Sequence, residues 1–168
     1  GYTRDFPVEQ YWRDNRLNMI HEGTHGIQAL DLLARKVIAD DGAALVLLLT
    51  RIAVTAQAAA KIPVFAQFAP SALEFGTQLA QAALTLGAQL KAGHAQAALA
   101  NSGVFLDALG TVVVCWLSLD LAIAAQASPE FARLFANCSY LHRYELNKVQ
   151  AAVSVLTTPE ILSGECGF

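Results

Sequence analysis

The sequence predicts an all-α protein, an up-down helical bundle of about four long helices that is preceded by a short helical segment. Apolar residues make up 55% of the 168 residues and charged residues only 15%, so the chain can bury a sizeable core. No stretch alternates apolar and polar residues with the period of two that a half-buried strand requires. After residue 42, apolar segments of helix length follow one another across short connections, which is typical of an up-down bundle.

Two shorter helices are predicted before residue 40. Pro7 suits the first turn of a helix that we expect to end near Asn15. A second, amphipathic helix is expected over residues 24–38, with Thr24 as its N-cap. Its apolar face recurs at helical spacing and consists of Ile27, Leu30, Leu33, Ala34 and Val37.

Asp40-Asp41-Gly42 interrupts this pattern and marks a change in composition. Charged residues are dense before it, whereas alanine, leucine, valine and glutamine dominate after it. We therefore predict two structural units, residues 1–39 and residues 40–168. Either aspartate can cap the next helix, which is expected over residues 41–61.

The next predicted helix covers residues 71–93. It follows a short connection bracketed by Pro63 and Pro70. Ser71 is its expected N-cap. Gly76 and Gly87 each weaken a helix interior by about 1 kcal/mol relative to alanine, which indicates close contact with a neighbouring helix. The inward face should contain Leu73, Leu79, Ala80, Ala83, Leu84, Leu86 and Leu90.

Two more helices complete the predicted bundle. One covers residues 104–127, and its Asp107 and Asp120 are expected to cap or to pair with Arg133 or Lys148. The last begins at residues 128–130, where a serine N-cap, a proline and an acidic first turn follow in order, and ends near residue 156.

Charge and hydropathy exclude several classes of protein. The net charge is −3 without a basic patch, so nucleic-acid binding is not expected. The mean hydropathy of +0.40 is high, but the most apolar windows, residues 43–60 and 104–125, both contain charged side chains. We interpret both windows as core helices and expect no integral membrane segment.

The cysteines predict the redox state of the compartment, and the first residues bear on whether the sequence is part of a longer protein. Cys115, Cys138 and Cys166 are widely spaced, which predicts free thiols in a reducing cytoplasm. The first 20 residues lack the apolar region of a signal peptide. Because the sequence opens on Gly1, it looks cut from a longer protein.

Residues His21-Glu22-Gly23-Thr24-His25 match the H-E-x-x-H pattern of metalloproteases. In that pattern two histidines on one helical face bind zinc and the glutamate polarises a water molecule. Gly23 disfavours a continuous helix here, and no third ligand stands in a partner motif downstream. A zinc hydrolase is therefore kept as an alternative only, and we expect no metal.

The residues around this pattern form a longer series. Within residues 1–28 stand, in order, Gly1-Tyr2, Pro7-Val8-Glu9, Arg13-Asp14, Ile20-His21-Glu22-Gly23-Thr24 and Ile27-Gln28. This series resembles the C-terminal portion of flavin-dependent acyl-CoA dehydrogenases. The alanine-rich helices that follow are similar to the extra C-terminal helical domain of the larger, methylmercaptopropionyl-CoA dehydrogenase-like members. The resemblance implies that residues 1–39 end the family's C-terminal helical domain and that residues 40–168 form the additional bundle domain.

The resemblance also implies roles for five consecutive residues. Glu22 matches the family's catalytic base, and Gly23 the position where the thioester substrate approaches closely. Thr24 matches a flavin-contacting position, with His25 and Gly26 beside it. The family further implies FAD as cofactor, an acyl-CoA substrate, an electron-transfer flavoprotein or similar acceptor, a homo-oligomer (dimer or tetramer) and a place in fatty acid metabolism.

The implied reaction is the α,β-dehydrogenation of an acyl-CoA thioester. A weakly acidic α-proton has to be removed, so a carboxylate base such as Glu22 needs a dry site that raises its pKa. The sequence departs from the family at His21, where tyrosine is usual, and at Gly26, where glutamine or glutamate is frequent. These departures bear on the substrate range and on the hydrogen bonds to the flavin.

Two expectations follow for the chain by itself. It should be inactive, because most flavin and substrate contacts of the family lie upstream of its first residue. A non-enzymatic helical assembly or interaction module remains the second function class, since the later helices could serve only to pack subunits.

Overall fold

The computed structural model describes residue 5, residues 8–20 and residues 24–158, with residues 18–20 described by their backbone alone. Every element in these ranges is helical and none is a strand, which confirms the predicted all-α helical bundle. The α-helices are α1 (Val8–Ile20), α2 (His25–Leu30), α3 (Ala43–Ala60), α4 (Ala69–Lys91), α5 (Ala95–Leu99), α6 (Ser102–Ala124), α7 (Phe131–Tyr140) and α8 (Val149–Thr157).

Two core clusters hold the bundle together. The larger one joins α3, α4, α6 and α8 and includes the buried side chains of Ile52, Leu79 and Phe105. Leu33 and Val37, which precede α3, are buried in this same cluster. The smaller cluster is aromatic, and its Phe65 makes edge-to-face contacts with the rings of Phe131 and Phe135 at centroid distances of 6.1 and 5.6 Å.

The break before α3 is a run of left-handed backbone. Asp40, Asp41 and Gly42 have φ angles of 49°, 52° and 82°, and α3 begins at the next residue. The predicted capping role of the aspartates is wrong, because Gly42 is the N-cap residue and no side chain caps this helix. The Asp41 carboxylate instead lies 2.7 Å from Lys91 Nζ at the end of α4.

The two glycines of α4 stand at close helix contacts, as their positions predicted. A Cβ atom on Gly76 would lie 3.1 Å from Leu49 Cδ2 of α3. One on Gly87 would lie 3.2 Å from Ile38 Cγ2, in the segment before α3. The absence of a side chain at these positions lets the backbone of α4 approach its neighbours.

Four side chains assigned to inward faces are exposed instead: Ile27, Leu30, Leu73 and Leu84. After α2 the chain continues as a π-helix, Asp31–Val37, in which buried residues recur every four positions from Ala29 to Leu33 and Val37. Ile27 and Leu30, which lie in the regular α2, fall outside this buried stripe. In α4 the buried face follows residues 72, 75, 79, 82 and 86, and Leu73 and Leu84 fall outside it.

The final predicted helix changes its winding part-way. After α7 the backbone forms a π-helical turn, Leu141–Glu145, then a 3-10 turn, Leu146–Lys148, and then α8. The predicted serine cap at Ser128 is wrong, because Glu130 is the N-cap residue of α7 and no side chain caps this helix. Ser128 lies in the turn before it, where its Oγ accepts a hydrogen bond from the Glu130 backbone N–H at 3.2 Å.

Two helical stretches, Ala39–Ala60 and Ala95–Ala124, are long and apolar enough to cross a membrane by length and composition. In their most apolar windows, 28% and 33% of the residues are buried inside the structure. Core helices of soluble proteins pass the same test. The two stretches are therefore weak evidence and do not establish membrane insertion.

Candidate functional site

The candidate site lies between α1, which ends at Ile20, and α2, which begins at His25. Glu22 and Gly23, with His21 before them, lie outside the described residues. The roles of base and of substrate contact implied for Glu22 and Gly23 therefore stay predictions.

Thr24, His25 and Gly26 are described, and all three are exposed. The Thr24 side chain makes no N-cap hydrogen bond, contrary to the prediction. Its hydroxyl oxygen accepts a hydrogen bond from Gln28 Nε2 at 3.0 Å, one helical turn further along. Gly26 faces open space, since a Cβ atom there would meet nothing within 4 Å.

His25 ties the start of α2 to the core helix α6. Its Nε2 lies 3.7 Å from Asp107 Oδ1, and the helices pack against each other along α2. The predicted partners of Asp107, Arg133 and Lys148, are wrong: Arg133 pairs with Glu130, and Lys148 with Glu145. An aspartate inside an otherwise apolar helix was the available signal for a partner from another element.

An open groove of about 660 Å³ runs beside these residues. Ile27 and Leu30 line it and are 68% and 42% exposed, so an apolar strip adjoins the polar start of α2. Sequence periodicity assigned both residues to the core, but α2 buries Ala29 instead.

Thr24, His25 and Gly26 are the residues for which the sequence predicts a contact to a flavin. Thr24 and His25 offer exposed hydrogen-bonding groups, and the open space beside Gly26 allows a planar group to approach. All three residues are exposed, so they fit a contact to a flavin held mainly by other surfaces.

The zinc alternative depends on His21, Glu22 and His25, of which His25 alone is described. No group of three or more histidine, cysteine, aspartate or glutamate side chains comes together in the ranges that the structure describes. His25, the described histidine of the H-E-x-x-H pattern, has its Nε2 near Asp107 of α6.

Three titratable groups lie in the interior away from the candidate site. Burial raises the pKa of Cys115 to about 12 and that of Cys138 to about 11. Burial also lowers the pKa of His142, against the opposing effect of its hydrogen bond to the Cys115 carbonyl. Both thiols are free and are protonated at neutral pH, as expected of core cysteines.

The second aspartate of α6 takes part in a polar link to α3. Thr55 Oγ1 donates to Asp120 Oδ1 at 3.0 Å and accepts from Trp116 Nε1 at 2.9 Å. The predicted pairing of Asp120 with Arg133 or Lys148 is thus wrong as well. This link connects the two apolar helices α3 and α6.

Comparisons with known proteins give short, well-defined similarities. No family model matches the chain, and no solved structure matches it significantly. The chain is 47% identical over 45 residues to the broad-specificity linear acyl-CoA dehydrogenase FadE5 of Mycobacterium tuberculosis, a match that covers 27% of the chain. It is 50% identical over 42 residues, 25% of the chain, to 3-methylmercaptopropionyl-CoA dehydrogenase of Ruegeria pomeroyi.

A third relative is the mitochondrial short/branched chain specific acyl-CoA dehydrogenase of Rattus norvegicus, 45% identical over 40 residues, or 24% of the chain. These matches support the acyl-CoA dehydrogenase family. They span 7% of the first two relatives and 9% of the third. The similarity therefore supports the family and leaves the activity of the whole protein as a proposal.

Proposed function

We propose that this chain is the C-terminal part of a flavin-dependent acyl-CoA dehydrogenase that carries out the α,β-dehydrogenation of an acyl-CoA thioester in fatty acid metabolism. The observation that supports this most strongly is the identity of 45–50% to three acyl-CoA dehydrogenases over 40–45 residues. The ordered motifs of residues 1–28 give the same indication.

In this proposal Glu22 is the base that removes the α-proton of the thioester. Gly23 lets the substrate approach the backbone closely, since glycine has no side chain to block it. Thr24, His25 and Gly26 contact the cofactor. FAD, when bound, supplies the acceptor for the β-hydride.

The exposure of the start of α2 supports a site shared with other surfaces. Thr24 and His25 are held in place by α2, which packs on α6, yet they are not enclosed. An α-proton is removed efficiently only where water is excluded and the pKa of the base is raised. We therefore expect the chain alone to be inactive and the complete enzyme to close this site.

The remaining parts of the proposal concern partners and place. We expect the protein to work in the cytoplasm, to pass electrons to an electron-transfer flavoprotein or similar acceptor, and to form a homo-oligomer, a dimer or a tetramer. In this proposal residues 1–39 end the catalytic helical domain and residues 40–168 form the additional helical domain.

A second candidate function, a non-enzymatic assembly module, is favoured for the later helices by a specific observation. Helices α3 and α6 expose large apolar side chains outside the core, among them Leu47, Val54, Leu117 and Leu121 at 49–62%. Such a surface suits packing against another protein surface. Both functions can hold for different segments of one enzyme.

The test of the catalytic proposal is Glu22→Gln in the full-length protein. Glutamine keeps the size of the side chain but cannot accept the α-proton, and loss of a general base typically costs about 10²–10⁴-fold in rate. Anaerobic stopped-flow absorbance should show flavin reduction by acyl-CoA slowed at least about a hundredfold, while FAD and acyl-CoA still bind.

Glu9→Gln is the matched control, because Glu9 pairs with Arg13 at 2.7 Å on α1 and has no role in the proposed chemistry. It should leave the rate of flavin reduction within a few-fold. Reduction of the Glu22→Gln flavin at the wild-type rate would assign the base to another residue. A full-length protein that binds no flavin would contradict the catalytic proposal. The assembly function would then be the remaining candidate.

A further inference from the structure

The helix that follows the candidate catalytic residues is held in place by the later helices of the chain. Helix α2 has only six residues, too few to be stable as an isolated helix. Its Ala29 side chain is fully buried, and α2 packs against α6. Leu33 and Val37 continue this buried stripe into the larger core cluster, where Phe105 of α6 is also buried. Helix α6 therefore supports the segment that begins at Thr24.

A charged contact between the two helices involves a residue that is predicted to contact the flavin. His25 Nε2 lies 3.7 Å from Asp107 Oδ1. This distance is longer than a hydrogen bond but within the range of an ion pair, so the attraction is electrostatic and is strongest with the protonated imidazole. Asp107 belongs to residues 40–168, for which the sequence motifs implied no role in the candidate site.

The residue beside His25 is held within α2 itself. Thr24 Oγ1 accepts a hydrogen bond from Gln28 Nε2 at 3.0 Å, and the Gln28 backbone N–H donates to the Thr24 carbonyl oxygen at 2.8 Å. These contacts tie Thr24 to the first turn of α2, whereas the contact of His25 reaches another helix. A change at Asp107 therefore alters what holds His25 and leaves these hydrogen bonds of Thr24 in place.

The face of α6 around Asp107 is open. Gly103 and Gly110 lie about one turn before and one turn after Asp107, on the same face of the helix. A Cβ atom added to either glycine would meet nothing within 4 Å. The side chains of His25 and Asp107 are 51% and 75% exposed. Another surface of the complete enzyme, or the cofactor, can therefore come close to this pair.

We propose that Asp107 is a positioning residue of the candidate flavin site, whose carboxylate fixes the orientation of the His25 ring. The inference rests on the proposed function, because the contact of His25 with the cofactor is part of that proposal. Water screens the two charges in this chain, and covering the pair in the complete enzyme strengthens their attraction. The domain of residues 40–168 thereby contributes directly to the site and does more than pack subunits.

A double-mutant cycle in the full-length protein tests this role. Asp107→Asn removes the charge and keeps the size of the side chain. It should raise the dissociation constant of FAD, measured by titration of the flavin-free protein, about two- to fivefold, the usual range for one exposed charge pair. In a His25→Gln background the same change should have no further effect, because Asp107 acts through His25. Asp107→Glu keeps the carboxylate and should restore most of the affinity.

Hydrogen exchange of the flavin-free full-length protein gives a readout that needs no cofactor. Asp107→Asn should raise the exchange rates of the α2 backbone amides about two- to fivefold, because α2 loses a contact to the helix that supports it. Asp120→Asn is the matched control, since it changes another aspartate of α6, whose partner is Thr55. It should alter neither exchange in α2 nor the affinity for FAD.

The outcomes separate this inference from the proposed function. Flavin binding with an unchanged dissociation constant in Asp107→Asn, or unchanged exchange in α2, would overturn the positioning role alone. An equal loss of affinity in the wild-type and His25→Gln backgrounds would also overturn it, because Asp107 would then act independently of His25. A full-length protein that binds no flavin would contradict the proposed function, and this role of Asp107 with it.

Discussion

Helix α1 exposes its large apolar side chains, whereas the bundle from α3 to α8 buries many of them. In α1 Val8, Tyr11 and Trp12 are 52–72% exposed, whereas Phe65 and Phe105 in the bundle are fully buried. Local contacts support α1, such as the Glu9–Arg13 pair at 2.7 Å and Arg16 over the Trp12 ring at 5.1 Å. Contacts between elements support the bundle.

The residues that supply most of the stability and the candidate catalytic residues therefore lie in different parts of the chain. Local pairs contribute a few tenths of a kcal/mol each, and an isolated helix of this length is marginal in water. Burial of core side chains supplies most of the stability of a folded domain. The segment that carries the candidate catalytic residues therefore follows a weakly supported helix, while the helices after residue 42 share one core with Leu33 and Val37.

The largest expected effect comes from Phe65→Ala. The side chain is fully buried and makes edge-to-face contacts with Phe131 and Phe135. Truncation should cost about 3–5 kcal/mol of unfolding free energy, from lost burial and the cavity left behind. Tyr11→Ala in α1, 72% exposed, should change it by no more than about 0.5 kcal/mol. Urea unfolding monitored by circular dichroism measures the change in unfolding free energy for both variants. Similar losses would show that α1 and the bundle core contribute equally to stability.

An intermediate effect is expected where helices touch. Gly76→Leu should destabilise the bundle by about 1–3 kcal/mol, because the new side chain must displace Leu49, 3.1 Å from the first added carbon. Gly110→Ala on α6 is the matched control, since an added Cβ meets nothing within 4 Å. It should stabilise the protein by about 0.5–1 kcal/mol through helix propensity. A neutral or stabilising Gly76→Leu would show that α3 and α4 do not pack closely in solution.

The smallest effect concerns the ion pair that joins the start of α3 to the end of α4. The hydrogen bond and charge of Lys91 lower the pKa of Asp41 below its ordinary value of 3.8. The carboxylate therefore stabilises the fold above about pH 4, and this contribution is lost as the pH falls through the lowered pKa. Asp41→Asn should lower the urea midpoint slightly at pH 7, and the difference from wild type should vanish at low pH.

Added salt should reduce the effect of Asp41→Asn, because both partners are exposed. Glu9→Gln removes a pair of similar length within α1 and should leave the midpoint of global unfolding unchanged. A larger change for Glu9→Gln than for Asp41→Asn would mean that α1 contributes to the cooperative unit after all.

Sequence patterns predicted the long helices closely. The helix expected over residues 41–61 is Ala43–Ala60, and the one expected over residues 104–127 is Ser102–Ala124. Such elements are predictable because apolar length, proline and glycine act locally. The roles implied for Glu22 and its neighbours came from the order of motifs along the sequence. Patterns of helix packing alone would not have indicated these roles.

The faces and partners of these helices could not be predicted in the same way. Ile27 and Leu30 had helical spacing but are exposed, because α2 packs through Ala29, and the buried stripe continues through Leu33 and Val37. Asp107 lies near His25 and Asp120 near Thr55, partners that are 82 and 65 positions away in sequence. Nothing local identifies such partners.

The sequence by itself determined the helical class, the position of the main break at residues 40–42 and the candidate catalytic segment, because these depend on residue type and on spacing within one or two turns. Only the tertiary structure decided which side of each helix is buried, which acidic groups pair across elements, and that Nδ1 of His142 is buried without a hydrogen-bond partner among the described residues. Those outcomes depend on competition among many helix faces for one core, where a change of winding at a single turn redirects every side chain after it.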